Sequence, residues 1–171
     1  MITLEALNRL SPAQFVAQLG GVFEHSPWVP ARVAPLRPFA SRLQLLESMR
    51  GAVAAASESE QLALIRAHPR LGLLSRAPLT AASAREQRDA GLQACSDQQL
   101  ERLEQLNDAY LQKFAFPFIL AVRGHSADSI EAALTVRLGN ERTAEWRAAL
   151  REIGTIAAHR LAGLLRDAGE S

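Results

Sequence analysis

Apolar side chains along this chain recur at helical spacing, and capping residues separate the runs. Ser11-Pro12 pairs an N-cap with proline at the first helical position, and Gly20-Gly21 closes that helix. The stretch from Pro27 to Pro38 is proline-spaced and can hold short helical turns but no long helix. Ser41 opens a helix through Leu43, Leu46, Met49 and Val53. Ser57 with Glu60 forms a capping box before Leu62, Leu64 and Ile65, and His68-Pro69 ends that helix. Residues 69–79 form a loop. Ser83 and Glu86 have the spacing of another capping box, opening a short helix to about Ala94 with a poor apolar face. Ser96 caps a long helix through Leu100, Leu103, Leu106, Tyr110, Leu111 and Phe114.

The run Phe116-Pro117-Phe118-Ile119-Leu120-Ala121-Val122 is either a buried extended segment or one buried turn. Residues 127–138 form a helix closed by Gly139-Asn140. The last helix starts near Thr143 and uses Trp146, Leu150, Ile153, Ala157, Leu161 and Leu164. The pattern predicts an all-α fold: a single compact domain, residues 1–171, of about eight short and unequal helices packed orthogonally, with at most one short extended segment.

Composition supports that class. Alanine and leucine contribute 31 and 26 residues, whereas valine, isoleucine and threonine total only 18. The 19 basic and 18 acidic residues leave a net charge of +1, which gives no electrostatic case for nucleic acid. No apolar run is long enough to span a membrane. The start, Met1-Ile2-Thr3-Leu4-Glu5, lacks the pattern of a signal peptide, and cytoplasmic residence is the expectation. One cysteine, Cys95, excludes an internal disulfide and a multi-cysteine metal centre, and no HExxH or paired histidines suggest a metal.

Three places can carry chemistry. His68 sits at a helix end on a proline-stiffened loop, where it either favours the helix dipole or serves a site. Ser83, Glu86 and Gln87 cluster at a helix start, as a cap or as ligand contacts. Arg160 falls at the margin of the last apolar stripe, either snorkelling to water or turned into a pocket, where it would suit a carboxylate. Cys95 fits a buried small hydrophobe, and Asn107 and Lys113 fit a polar helix face.

These segments together resemble one family. Phe23-Glu24-His25-Ser26-Pro27-Trp28-Val29, Arg37-Pro38-Phe39, His68-Pro69-Arg70-Leu71-Gly72 and Ser83-Ala84-Arg85-Glu86-Gln87 come first. Leu106-Asn107-Asp108-Ala109-Tyr110, Lys113-Phe114-Ala115-Phe116-Pro117-Phe118-Ile119, Arg137-Leu138-Gly139-Asn140-Glu141 and Arg160-Leu161 follow in order. The chain resembles 2-oxo-4-hydroxy-4-carboxy-5-ureidoimidazoline (OHCU) decarboxylases of urate degradation over residues 11–165. Arg70 departs from the acidic residues common there, and the Ser26-Pro27-Trp28 block fits a structural role.

The resemblance implies an all-α, cofactor-independent carboxy-lyase that forms (S)-allantoin, with no metal, and a homodimer. It implies His68 as general acid/base and Glu86 as its catalytic companion. It further implies Pro69, Ser83, Gln87 and Arg160, with the backbone of Phe118, Ile119 and Leu120, as the substrate-binding set. The partner is the small-molecule substrate, without nucleic acid or membrane. The contrasting class is a non-catalytic helical module that binds a ligand or partner in the same pocket; the presence of both His68 and Glu86 favours the enzyme.

Overall fold

The computed structural model describes residues 1–71, 80–89 and 95–166. Among these the chain is all-α, with nine α-helices and one pair of two-residue strands. Ile2–Thr3 (β1) pairs in parallel with Leu165–Arg166 (β2), Ile2 opposite Leu165. The helices are Leu4–Arg9 (α1), Pro12–Leu19 (α2), Trp28–Val33 (α3), Arg42–Ala54 (α4), Glu58–Ala67 (α5), Ala81–Asp89 (α6), Asp97–Phe114 (α7), Ala127–Leu138 (α8) and Arg142–Leu164 (α9). Among the described residues no helix is long and apolar enough to cross a membrane.

Side-chain caps define most helix starts. Ser11 with Gln14, Ser96 with Gln99 and Ser126 with Ser129 make reciprocal caps, and Ser57 with Glu60 does the same. Each satisfies N–H groups that have no partner within the helix. The proline-spaced stretch holds α3 and a 3₁₀ turn, Ala34–Leu36, as its spacing predicts. α1 has only Leu7 buried and too few residues to show a period, so the pattern did not announce it.

The main chain divides into two compact units. The first is Met1–Ala67 with Gly154–Ser171. Its core includes Leu7, Phe15, Phe23, Met49, Leu64, Ile65, Ala157 and Leu161. Asn8 exchanges hydrogen bonds with both main-chain groups of Phe39, each at 2.9 Å. Leu46, Met49 and Val53 of α4 are buried as predicted, whereas Leu43 is 65% exposed and Leu45 takes its place in the core.

The second unit is His68–Ile153, in which α7 packs on α8. Tyr110 is the centre of an aromatic cluster, with ring centroids 4.5 Å from Phe114, 5.3 Å from Phe118 and 6.2 Å from Phe116. Ala115 ends α7 in the left-handed region, φ 62. Residues 117–122 then run with neither helix nor strand, buried throughout. The ambiguous apolar run is therefore an irregular buried segment. Its main chain is held by side chains instead of a ladder: Ala121 N–H donates to Glu152 Oε2 at 2.9 Å, and Ile119 C=O accepts from Arg137 Nη1 at 2.7 Å.

Candidate functional site

His68 follows the last residue of α5, directly before Pro69, and is 6% exposed. Histidine's ring is thus withdrawn from bulk water at a helix end, where loops carry chemistry on a fixed frame. The two residues beyond Pro69 are tethered to α7. Arg70 Nη2 meets Asp108 Oδ1 at 2.6 Å, and Asn107 Nδ2 donates to Leu71 O at 3.0 Å and to Leu103 O at 2.8 Å. Asn107 is 4% exposed, so it belongs to the buried face and not to the polar one. It lies four residues after Leu103 and three before Tyr110, which is core spacing. That spacing was the available signal. The rest of the predicted loop, residues 72–79, lies outside the described residues.

α6 begins one turn earlier than the Ser83–Glu86 spacing suggested. Thr80 is the capping residue: its Oγ1 accepts from Ser83 N–H at 3.2 Å, and its carbonyl accepts from Ala84 N–H at 2.9 Å. An earlier start lets a threonine satisfy the first-turn N–H groups. Ser83 is therefore inside the helix, 4% exposed, with its Oγ accepting from the Thr80 hydroxyl at 3.2 Å. Glu86, half-buried, follows Ser83 by three residues, so the two side chains share a face. Gln87 is on the same helix, and its side chain lies outside the described residues, as does the predicted helix end at Ala94.

Phe118, Ile119 and Leu120 are buried in the irregular segment. His68, Pro69, Ser83, Glu86 and these three belong to the second unit. Arg160 belongs to the first, on the C-terminal part of α9. Its side chain is 8% exposed, and its Nη1 meets Glu24 Oε2 at 2.7 Å and Gly21 O at 3.3 Å. The guanidinium is thus in a buried ion pair and does not snorkel. Glu24, 2% exposed, stands in the block Phe23–Val29 that carries the resemblance but was given no role there; its other sequence signal is a carboxylate beside apolar Val22-Phe23.

A second buried carboxylate also went unanticipated. Glu145, in the first turn of α9, is fully buried. Arg137 Nε donates to its Oε2 at 2.9 Å and Oε1 at 3.2 Å, Asn140 Nδ2 donates to Oε1 at 2.7 Å, and the Tyr110 hydroxyl donates to Oε2. Burial would raise the Glu145 carboxyl, but the hydrogen bonds from Arg137, Tyr110 and Asn140 hold it below the usual carboxylate value. The Tyr110 phenol is pushed above its ordinary range by burial first and by Glu145 second.

Cys95 is half-buried; burial, then Asp128, raises its thiol, which disfavours the nucleophilic thiolate. Among the described residues no group of three His, Cys, Asp or Glu side chains is placed to hold a metal ion.

Comparison with known proteins agrees with this frame. A family model described as OHCU decarboxylase matches residues 8–162, and the chain belongs to that family. It is 44% identical to the 2-oxo-4-hydroxy-4-carboxy-5-ureidoimidazoline decarboxylase of Haloferax volcanii, over 94% of this chain and 95% of that protein. It is 43% identical to the uric acid degradation bifunctional protein PucL of Bacillus subtilis, over 100% of this chain but 34% of that one. Among solved structures, an (S)-allantoin synthase superposes with a TM-score of 0.79 at 29% identity, over 96% of this chain and 54% of that one.

Proposed function

We propose that this chain is a cofactor-independent decarboxylase that converts OHCU to (S)-allantoin and CO₂ in urate degradation. The observation that carries the reading is a buried histidine between α5 and Pro69, in a chain matched to this family over residues 8–162. Loss of CO₂ leaves an electron pair on the ring carbon. The neighbouring ring C=N and carbonyl delocalise it, so the substrate supplies its own electron sink. What remains for the protein is to orient the carboxylate perpendicular to that system, stabilise the anion and protonate one face.

In this reading His68 contacts the substrate hydroxyl and relays the proton, a task suited to histidine's ordinary pKa of about 6.5. Glu86 accepts from ring or ureido N–H groups and orients His68. Ser83 and Gln87 hold the ureido arm and carbonyl oxygens. Pro69 stiffens the loop against the substrate, and the backbone of Phe118, Ile119 and Leu120 forms a wall. Arg160 takes the carboxylate or the charge left on oxygen. The single-domain organisation over residues 1–171, a homodimer and a cytoplasmic location complete the proposal, without nucleic acid or membrane as partner. Exposed Leu36 (60%) and Leu43 (65%) are apolar positions an interface would cover.

The test generates OHCU in place from urate with urate oxidase and hydroxyisourate hydrolase, and follows circular dichroism. A fast rise to the (S)-allantoin signal is expected, against slow racemic decay without the protein. No acceleration by folded protein would overturn the function and leave the binding-module alternative, read by (S)-allantoin binding without turnover. His68→Asn should lower kcat about a hundredfold or more, the scale of lost acid–base catalysis. Activity within tenfold of the parent would remove His68 from that role.

A further inference from the structure

The wall at residues 118–120 is main chain, and main chain without a helix or a sheet ladder must be aimed by something else. Arg137 does this on one side. Its Nη1 donates to Ile119 O at 2.7 Å, and its guanidinium carbon lies 4.5 Å from the centre of the Phe118 ring. The Arg137 side chain is 14% exposed and its partner Glu145 is fully buried, so the pair is shielded from solvent screening. Glu145 is in turn held by Asn140 and Tyr110. Lys113 fixes the turn that carries Asn140, donating from Nζ to Leu138 O at 2.7 Å and Asn140 O at 2.9 Å. Three elements, α7, α8 and α9, thus converge on one carbonyl.

The Ile119–Leu120 peptide is trans, and a trans peptide points its C=O and N–H in opposite directions. With the Ile119 carbonyl turned to Arg137, the Leu120 N–H is turned away from it. We propose that Arg137, backed by Glu145, is a positioning residue that fixes the orientation of the Ile119–Leu120 peptide and so aims the substrate-facing backbone. This rests on the reading that residues 118–120 line the substrate pocket. Arg137 touches no reacting atom; it acts through the peptide it holds. A fork is required, because one guanidinium nitrogen binds the carbonyl while others bind the carboxylate.

Arg137→Lys tests the fork. Lysine keeps a cation beside Glu145 but has one nitrogen to divide between two acceptors. The expected result is a rise of about tenfold in KM for OHCU and in Kd for (S)-allantoin, the equivalent of one good hydrogen-bonded contact, with a much smaller change in kcat. The ¹H–¹⁵N amide signals of Ile119, Leu120 and Ala121 should shift, and those of α4 should stay. A lower urea midpoint with KM, Kd and these signals unchanged would show a purely structural arginine and overturn the proposal.

If Arg137→Lys does not fold, Asn140→Ala decides. It removes the shorter of the two hydrogen bonds to Glu145 Oε1, leaving that of Arg137 Nε, and keeps the ion pair. The same KM shift, smaller, supports the proposal, and unchanged KM at a lowered midpoint overturns it. Absence of OHCU turnover by the parent protein would sink the proposed function alone. The amide signals of Ile119 and Leu120 in the variant would still decide what Arg137 holds.

Discussion

Among the described residues, Arg137–Glu145 and Arg160–Glu24 are both buried arginine–carboxylate pairs, and they differ in how far apart their partners lie in sequence. Arg137 and Glu145 are eight residues apart, on either side of the turn between α8 and α9. Arg160 and Glu24 are separated by 136 residues. In the first pair the carboxylate gathers a guanidinium, a phenol and an amide, and the guanidinium goes on to a main-chain carbonyl. In the second pair the guanidinium nitrogen is shared between a carboxylate and the Gly21 carbonyl, and its residue is the one proposed to meet the substrate. A buried ion pair is weak evidence of stability in itself, because desolvation of both charges offsets their attraction. Under the proposed function the comparison separates two uses of the same chemistry: a local pair that sets main-chain geometry, and a long-range pair that presets an arginine for the substrate.

The largest effect should come from leaving a charge alone. Glu145→Ala strands the Arg137 guanidinium in a buried site, and should cost about 3–5 kcal/mol in urea unfolding. A loss below about 1 kcal/mol would mean water reaches the pair and the contrast with Arg160–Glu24 is false. The same group sets an acid limb. Because the folded Glu145 carboxyl is held below its ordinary value, its contribution is present above that ordinary value of 4.5 and is lost as pH falls through the lower folded value. Glu145→Gln should therefore flatten the stability profile below about pH 4.5.

Glu24→Gln sharpens the comparison from the other side. The amide keeps an acceptor beside Arg160 but removes the charge that holds it. Under the proposed function kcat/KM for OHCU should fall about tenfold, mostly through KM, with a smaller stability loss than Glu145→Ala causes. If stability falls as far as in Glu145→Ala while KM stays fixed, Arg160 is a structural residue and both pairs have one role.

The contrast also explains what the sequence could tell. Helix starts were legible because serine caps act over three residues, and Ser11, Ser57 and Ser96 all act so here. His68, Ser83 and Glu86 were legible as motif residues. The α6 start was misplaced because two capping types, Thr80 and Ser83, stand one turn apart and only the fold chooses between them. Glu145 was hidden by a rule that weights large apolar side chains. The observed stripe of α9 runs through Glu145, Ala148, Ala149, Ile153, Ile156, Ala157 and Leu161, while Trp146 and Leu150 are half-buried. Alanines share the buried stripe with Ile153, Ile156 and Leu161, and a charge joins them where a partner is waiting. Asn107 was hidden in the same way: of its two acceptors, Leu103 O is on its own helix and Leu71 O is a loop carbonyl 36 residues away. Glu24 is the extreme case, since its partner is near the other end of the chain.

The smallest of these effects isolates one donor within the local pair. Tyr110→Phe removes the hydroxyl that donates to Glu145 Oε2 and keeps the ring in its aromatic cluster. Arg137 and Asn140 still hold the carboxylate, so the loss should be about 1–2 kcal/mol, that of a hydrogen bond to a charged group. Alkaline pH reads the same contact. Burial first, then Glu145, raises the folded phenol above its ordinary value of 10.0. Stability from this group is therefore full below about pH 10 and declines as pH rises toward the raised folded value. The parent protein should lose stability along that limb, and Tyr110→Phe should lose less. If both decline in parallel, the phenol is not the group being titrated. Such a result would also detach Tyr110 from Glu145 and leave Arg137 as the principal donor aligning that carboxylate.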